Sequence, residues 1–322
     1  MRSQTDGAGG LKHLISLDGL TRESITSILD RAESYRRFPG QPAYEGRELA
    51  AVTLANLFFE PSTRTRASFD LASRRLGAHV LNLEMQSSSR VKGETMLDTI
   101  YTLEAMNTDI FVIRDSEAGT PEFLIDHVAP HVSVISAGEA HVSHPTQGLL
   151  DVLTIRAHRR RFAGLKVAIV GDIKHSRVAR STARALRTLG TSDVRLVAPE
   201  SLLPAEDEFQ GALRFTRIED GIDGADVVMM LRIQKERMAQ AASLDDAAYF
   251  RTFGLDARRL KLAQPDVLVM HPGPMNRGVE ISSDVADGPH SVIREQVNNG
   301  VAVRMAVLAA IAATLTRHRR PL

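Results

Sequence analysis

The sequence holds no cysteine and no tryptophan, and only six of its 40 Lys and Arg residues are lysine. Without cysteine there is no disulfide, no thiolate nucleophile and no cysteine-ligated metal. A net charge of +1 gives no basic surplus for nucleic acid or for an anionic membrane surface. The first ten residues are polar and Gly-rich, with no apolar centre of the kind a signal peptide needs. The longest unbroken apolar run, residues 305–313, is too short to span a bilayer. These absences leave a cytoplasmic enzyme or binding protein as the expectation, with no nucleic-acid and no membrane partner. What is present, 322 residues at 43% hydrophobic, suffices for two domains of ordinary size.

Apolar runs alternate with helical stripes along the chain. Residues 21–36 place Ile25, Ile28, Leu29 and Ala32 on one helix face. Strand-like runs follow at 49–59, 78–83, 109–113 and 131–136, with helices expected at 63–76, 94–106 and 121–128. A long helix is expected at 145–158. The alternation then resumes, with strands at 165–170, 193–198, 226–231 and 267–270, a helix at 177–189 and a last helix at 293–316. Strand–helix alternation implies parallel sheets covered on both faces. The expected class is α/β: two doubly wound parallel-sheet domains joined by a hinge helix, with the C-terminal helix returning to the first domain. The basic end, Arg317 to Arg320, suits a helix C-terminus facing solvent.

The chain is organised around Phe58-Phe59-Glu60-Pro61-Ser62-Thr63-Arg64-Thr65-Arg66-Ala67-Ser68-Phe69. Here a buried strand runs into a helix whose first turn is crowded with hydroxyls and guanidiniums. Ser62 is placed as N-cap and Gly77 as the closing residue. Free N–H groups at a helix start favour an anion, and with these side chains they describe a phosphate cradle. Arg114 ends a strand, where ligands of open α/β sheets gather. His144-Pro145-Thr146-Gln147 opens the long helix. Gly171-Asp172-Ile173-Lys174-His175-Ser176-Arg177 follows a strand, but has one glycine where a dinucleotide turn needs three. Two polar strings complete the set, Ser88 to Glu94 and Arg232-Ile233-Gln234-Lys235-Glu236-Arg237. A proline-rich run, His271-Pro272-Gly273-Pro274-Met275-Asn276-Arg277-Gly278-Val279-Glu280-Ile281, fixes backbone carbonyls after a strand, one X–Pro bond being a candidate for cis.

Taken in chain order, these seven motifs resemble the transcarbamylase family from about Leu11 to the last helix. His-Pro-Thr-Gln, Arg-x-Gln-Lys-Glu-Arg and the Asn-Arg-Gly-Val-Glu-Ile run resemble its aspartate branch rather than its ornithine branch. The resemblance implies a carbamoyl-phosphate-binding domain at 1–148, completed by 298–322, and an aspartate-binding domain at 149–297. It assigns Ser62, Thr63, Arg64, Thr65, Ser88, Lys92, Arg114, His144, Gln147 and Pro272 to carbamoyl phosphate. Lys92, Arg177, Arg232, Gln234 and Gly273 fall to aspartate, and Arg64, Thr65, Lys92, Arg114 and His144 to catalysis. No metal and no cofactor is implied. Ser88 and Lys92 lie on a loop that in the family reaches a neighbouring subunit, so a homotrimer with shared sites is expected. The 276–281 run resembles enzymes that sometimes associate with a dihydroorotase-like protein, and the extended 275–278 form departs from relatives that bind a regulatory chain.

The implied reaction is carbamoyl transfer to the amino group of L-aspartate in pyrimidine synthesis. Its rivals are a transcarbamylase with another acceptor amine, a catalytically silent family member, and a nucleotide-binding dehydrogenase disfavoured by the broken glycine pattern.

Overall fold

Strand and helix alternate through a computed structural model that describes residues 4–84, 95–234 and 245–318. The chain divides into two units, Met1–Leu149 with Asn298–Leu322, and Leu150–Val297.

The first unit carries α1 (Arg22–Tyr35), β1 (Thr53–Phe58), α2 (Thr63–Arg75), β2 (His79–Glu84), α3 (Met96–Ala105), β3 (Ile110–Asp115), α4 (Thr120–Ile125) and β4 (Ser133–Glu139). Its four strands run parallel in the order β2-β1-β3-β4. The three strands β1, β3 and β4 are apolar and almost wholly buried, because parallel strands are covered on both faces. Ala55, Leu57, Phe111, Ile113 and Val134 pack with Ile100, Leu103 and Leu124 of the helices. Each such Leu, Ile or Phe withdrawn from water contributes about 1.5–3 kcal/mol.

β1 starts four residues later than the apolar run suggests. Leu49 donates its N–H to Leu76 O, Val52 donates to Leu49 O, and Ala51 sits at φ 63°, so residues 49–51 form a turn docked on the end of α2. That helix closes as expected: Gly77, at φ 85°, donates to Arg74 O, and Ala78 donates to Ser73 O. α4 is shorter than expected, its last residues turning through tighter bonds such as Asp126 N to Phe123 O.

The second unit carries β5 (Lys166–Val170), α6 (Arg177–Leu189), β6 (Asp193–Val197), β7 (Leu213–Phe215), α7 (Ile218–Ile222), β8 (Val227–Met230), α8 (Asp246–Phe253), α9 (Ala257–Leu260), β9 (Leu268–Met270) and α10 (Ser283–Ala286). Its five strands are parallel, in the order β7-β6-β5-β8-β9. β7 was not anticipated. It is a three-residue edge strand, Leu213-Arg214-Phe215, too short for its alternation to stand out, and is held by backbone pairing to β6.

The chain passes between the units within two helices. α5 (Pro145–His158) begins in the first unit and ends in the second, and α11 (Ile293–His318) does the reverse. The stretch Ile293–Leu315 is long and apolar enough to cross a membrane by length and composition, at mean hydropathy 1.4. Looking only for unbroken apolar runs missed this, since Asn298, Asn299 and Arg304 interrupt it. With 72% of that window buried inside the protein, it behaves as a core helix. Within the first unit Thr314 Oγ1 donates to Leu11 O at 3.1 Å, and Asn298 Nδ2 donates to Arg37 O at 2.7 Å.

Candidate active site

In the first unit the cradle sits where β1 turns into α2. Ser62 occupies the N-cap position with extended backbone, but its hydroxyl makes no capping bond, which corrects the capping role expected for it. The first-turn N–H groups of Thr63, Arg64 and Thr65 have no intrahelical acceptor, and no acidic side chain stands in that turn. Ser62 is half-buried, Thr63 and Arg64 are exposed, and Thr65 is buried. The helix therefore presents hydroxyls, a guanidinium and a positive terminus to solvent, an arrangement that attracts an anion.

Register brings Arg114 alongside. Phe58 of β1 pairs with Arg114 of β3, and Phe59 donates its N–H to Arg114 O at 2.8 Å. The buried guanidinium donates from Nη1 to Ala137 O at 3.1 Å and from Nη2 to Glu60 Oε1 at 2.5 Å. β4, next to β3, leads through a tight turn in which Glu139 N donates to Ser143 O, and delivers His144 to the start of α5. His144 and Gln147 are both buried, and His144 O accepts from the N–H groups of Gln147 and Gly148. Cradle, Arg114 and His144 thus stand at the carboxyl ends of three neighbouring strands. Ser88 and Lys92 lie outside the described residues.

The second unit repeats this placement. After β5, Gly171 takes φ 130°, and a Cβ there would lie 2.7 Å from Leu231 O. The glycine serves a close approach of β5 and β8 rather than a nucleotide. Asp172 is fully buried: Oδ1 accepts from His175 Nδ1 at 2.8 Å, and Oδ2 accepts from Gln234 N at 3.2 Å. Ser176 caps α6 through Ala179 N at 3.0 Å, and Arg177, buried, is the first helical residue. Arg232, half-buried, follows β8. Gln234 Nε2 donates to His175 O at 3.0 Å, so this amide ties the two loops together, and that bond leaves its second N–H and its carbonyl oxygen unused. Lys235, Glu236 and Arg237 lie outside the described residues.

After β9 comes the proline-rich turn, with Pro272 and Gly273 half-buried and the Gly273–Pro274 bond cis. Gly273 N donates to His271 Nδ1 at 2.9 Å, which leaves the carbonyls of Pro272 and Gly273 as the groups a ligand could meet. His271 Nε2 faces Glu280 Oε1 at 3.2 Å, both side chains being fully buried. Close by, burial and then the Glu280 and Asp172 carboxylates push the Tyr249 phenol far above its usual range.

Arg177, Arg232 and the 271–273 turn hence occupy the carboxyl ends of β5, β8 and β9, three adjacent strands. Two cations at these strand ends suit a ligand with two carboxylates. The acidic residues that hold Arg114, His175 and His271, namely Glu60, Asp172 and Glu280, received no role from the sequence alone. Each stands inside a motif string beside an arginine or histidine, which was the available signal. Among the described residues, no group of three or more His, Asp or Glu is arranged to hold a metal.

Comparison with known proteins covers both units. The carbamoyl-P binding domain of aspartate/ornithine carbamoyltransferase matches residues 12–157, and the Asp/Orn binding domain of the same family matches residues 163–311. Among solved structures, aspartate transcarbamoylase from Trypanosoma cruzi in complex with N-(phosphonacetyl)-L-aspartic acid is 31% identical at TM-score 0.85, over 95% of this chain and 98% of that one. The same enzyme with carbamoyl phosphate and aspartate is 31% identical at TM-score 0.84, over 93% and 96%. Ornithine carbamoyltransferase from Pyrococcus furiosus is 30% identical at TM-score 0.84, over 97% and 99%.

Proposed function

The chain belongs to the aspartate/ornithine carbamoyltransferase family, and we propose that its acceptor is L-aspartate. On this reading it transfers the carbamoyl group of carbamoyl phosphate to the amino group of aspartate. The products are N-carbamoyl-L-aspartate and phosphate, a step of pyrimidine synthesis in the cytoplasm. The observation that carries the acceptor choice is the pair Arg177 and Arg232 at the ends of adjacent strands β5 and β8. Guanidiniums match carboxylates, whereas the side-chain ammonium of ornithine would meet like charge. Solved relatives of both acceptor types are equally similar overall, so likeness of fold leaves the choice to these side chains.

The chemistry needs no side-chain nucleophile. The aspartate amine attacks the carbonyl carbon, the bond from carbon to the bridging phosphate oxygen breaks, and the departing phosphate takes the amine proton. The protein holds the partners together and stabilises charge growing on the carbonyl oxygen. Ser62, Thr63, Arg64 and Thr65 hold the phosphate with Arg114, while Thr65, Arg114 and His144 donate to the carbonyl oxygen. Gln147 and the Pro272 carbonyl take the carbamoyl amide. Arg177 and Arg232 clamp the two carboxylates, with Gln234 and Gly273 beside them. Ser88 and Lys92 come from the neighbouring chain of a homotrimer, and a dihydroorotase-like protein is the partner proposed for the 275–281 turn.

The test is direct. The purified chain is supplied with carbamoyl phosphate and either L-aspartate or L-ornithine, and the products are identified by mass spectrometry. Carbamoyl-aspartate is expected. Citrulline in its place would move the acceptor assignment to the other branch.

A further inference from the structure

The second unit contains a buried hydrogen-bond relay that ends on the turn proposed to meet the substrates. Asp151 of α5 is fully buried. Its Oδ2 accepts from Thr182 Oγ1 at 2.6 Å, and its Oδ1 accepts from Gln296 Nε2 at 3.0 Å. Gln296, near the start of α11 and 2% exposed, uses its Oε1 to accept the His271 N–H at 2.9 Å. His271 Nδ1 in turn accepts the Gly273 N–H at 2.9 Å. Four elements, α5, α6, α11 and the turn after β9, are joined through groups that water does not reach.

The direction of each bond is forced. Both Asp151 oxygens accept, so Gln296 turns its NH₂ toward α5. The amide oxygen then faces the turn, where the His271 N–H is the donor that needs it. Without Asp151 only the His271 N–H would set the amide, since the reversed amide would put a donor against a donor. A buried backbone N–H left unpaired is costly enough to move the chain that carries it. The residue moved here would be His271, which fixes Gly273 two positions on.

We propose that Gln296 is a positioning residue for carbamoyl transfer, oriented by Asp151 and holding the Pro272–Gly273 turn through the His271 backbone. This rests on the functional reading above. Gln296 itself touches no substrate. Its effect is on how well the turn is placed to receive the acceptor, so it reaches the second unit's ligand and leaves the phosphate cradle of the first unit alone.

A polarity swap tests it. Gln296→Glu alone sets a second carboxylate against Asp151 and should raise KM for aspartate at least tenfold, with the dissociation constant for inorganic phosphate unchanged by calorimetry. Adding Asp151→Asn reverses the relay. The new amide at position 151 donates to the new carboxylate at position 296 and accepts from Thr182, while the other oxygen of that carboxylate takes the His271 N–H. The double variant should return KM to within about threefold of the parent, a rescue expected of coupled neighbours. A folded Gln296→Glu protein with lowered Tm but parental KM and kcat would reduce the relay to a structural tie and overturn the proposal. Should Gln296→Glu fail to fold, Gln296→Met removes the acceptor without adding charge. Its peptide spanning residues 268–275 should then lose amide-exchange protection at least tenfold, and unchanged protection would refute the relay. If the parent chain forms no carbamoyl-aspartate, the acceptor reading falls, while the exchange measurement still decides the positioning claim.

Discussion

Arg114 and Glu60 meet at 2.5 Å, Nη2 to Oε1, with side chains only 10% and 20% exposed. The cation proposed to bind phosphate is therefore held by a carboxylate when no ligand is bound, and an incoming dianion must compete with that carboxylate for the guanidinium. Glu60→Gln weakens the competitor while keeping its shape. Phosphate should then bind about 3–10-fold more tightly at low salt, the gain shrinking as salt rises. Calorimetric titration of inorganic phosphate into both proteins checks this, and unchanged or weaker binding by the variant would remove the competition.

The two acceptor arginines make a separable prediction. Truncating Arg177 or Arg232 to Ala should cost about 2–5 kcal/mol in kcat/KM for aspartate. Inorganic phosphate should bind as before. Full activity with aspartate in Arg232→Ala would refute its assignment.

His144 is buried at the start of α5, where a surface capping residue would be exposed. As a donor to the developing oxyanion its loss should lower kcat by roughly 10²–10³. Steady-state kinetics of His144→Ala, set beside its melting temperature, separate that role from a purely structural one.

Much of the fold was legible, and the reasons are local. α6 starts and stops where expected because Ser176 caps it and Gly190 ends it in the left-handed region, both devices being written into adjacent residues. The start of β1 was not legible, since Leu49 and Val52 are as apolar as the strand and only their contact with α2 makes them a turn. In the site, the arginines and histidines could be named because their neighbours carry the pattern. The Glu60–Arg114 pair joins residues 54 apart, and the Asp151–Gln296 pair residues 145 apart, and no periodicity in a sequence relates such positions. The commitment of Gln234 Nε2 to His175 O was hidden for the same reason.

Acid should weaken the first unit through His13. Burial, and then the nearby Lys12 ammonium, lower its pKa from 6.5 to about 4, and its Nδ1 accepts the Val134 N–H at 3.1 Å. Between these values the unfolded chain takes up a proton that the native chain refuses, so stability rises with pH across the window. The contribution is whole above pH 6.5 and is lost as pH falls toward 4, by about 3 kcal/mol. Urea unfolding of the parent and of His13→Gln between about pH 4 and 7 should show a shallower slope in the variant.

The proposal that sites are shared between chains has a complementation test. Arg64→Ala and Lys92→Ala proteins should each be nearly inactive. Dissociated and reassembled together, a closed ring would contain some sites with a parental cradle and a parental loop, and activity should return. Hybrids verified by native mass spectrometry that stay inactive would show that Lys92 serves its own chain.

The first unit is built from both sides of the second in the order of synthesis. Residues 150–297 emerge as one continuous stretch, whereas Met1–Leu149 waits for Asn298–Leu322. During translation the phosphate cradle exists early as sequence but lacks the helix that anchors Leu11 and Arg37 through Thr314 and Asn298. A chain released just after Val297 would carry every residue of the second unit beside an unfinished first one. A premature stop within residues 298–322 would thus strike the half of the protein that was made first.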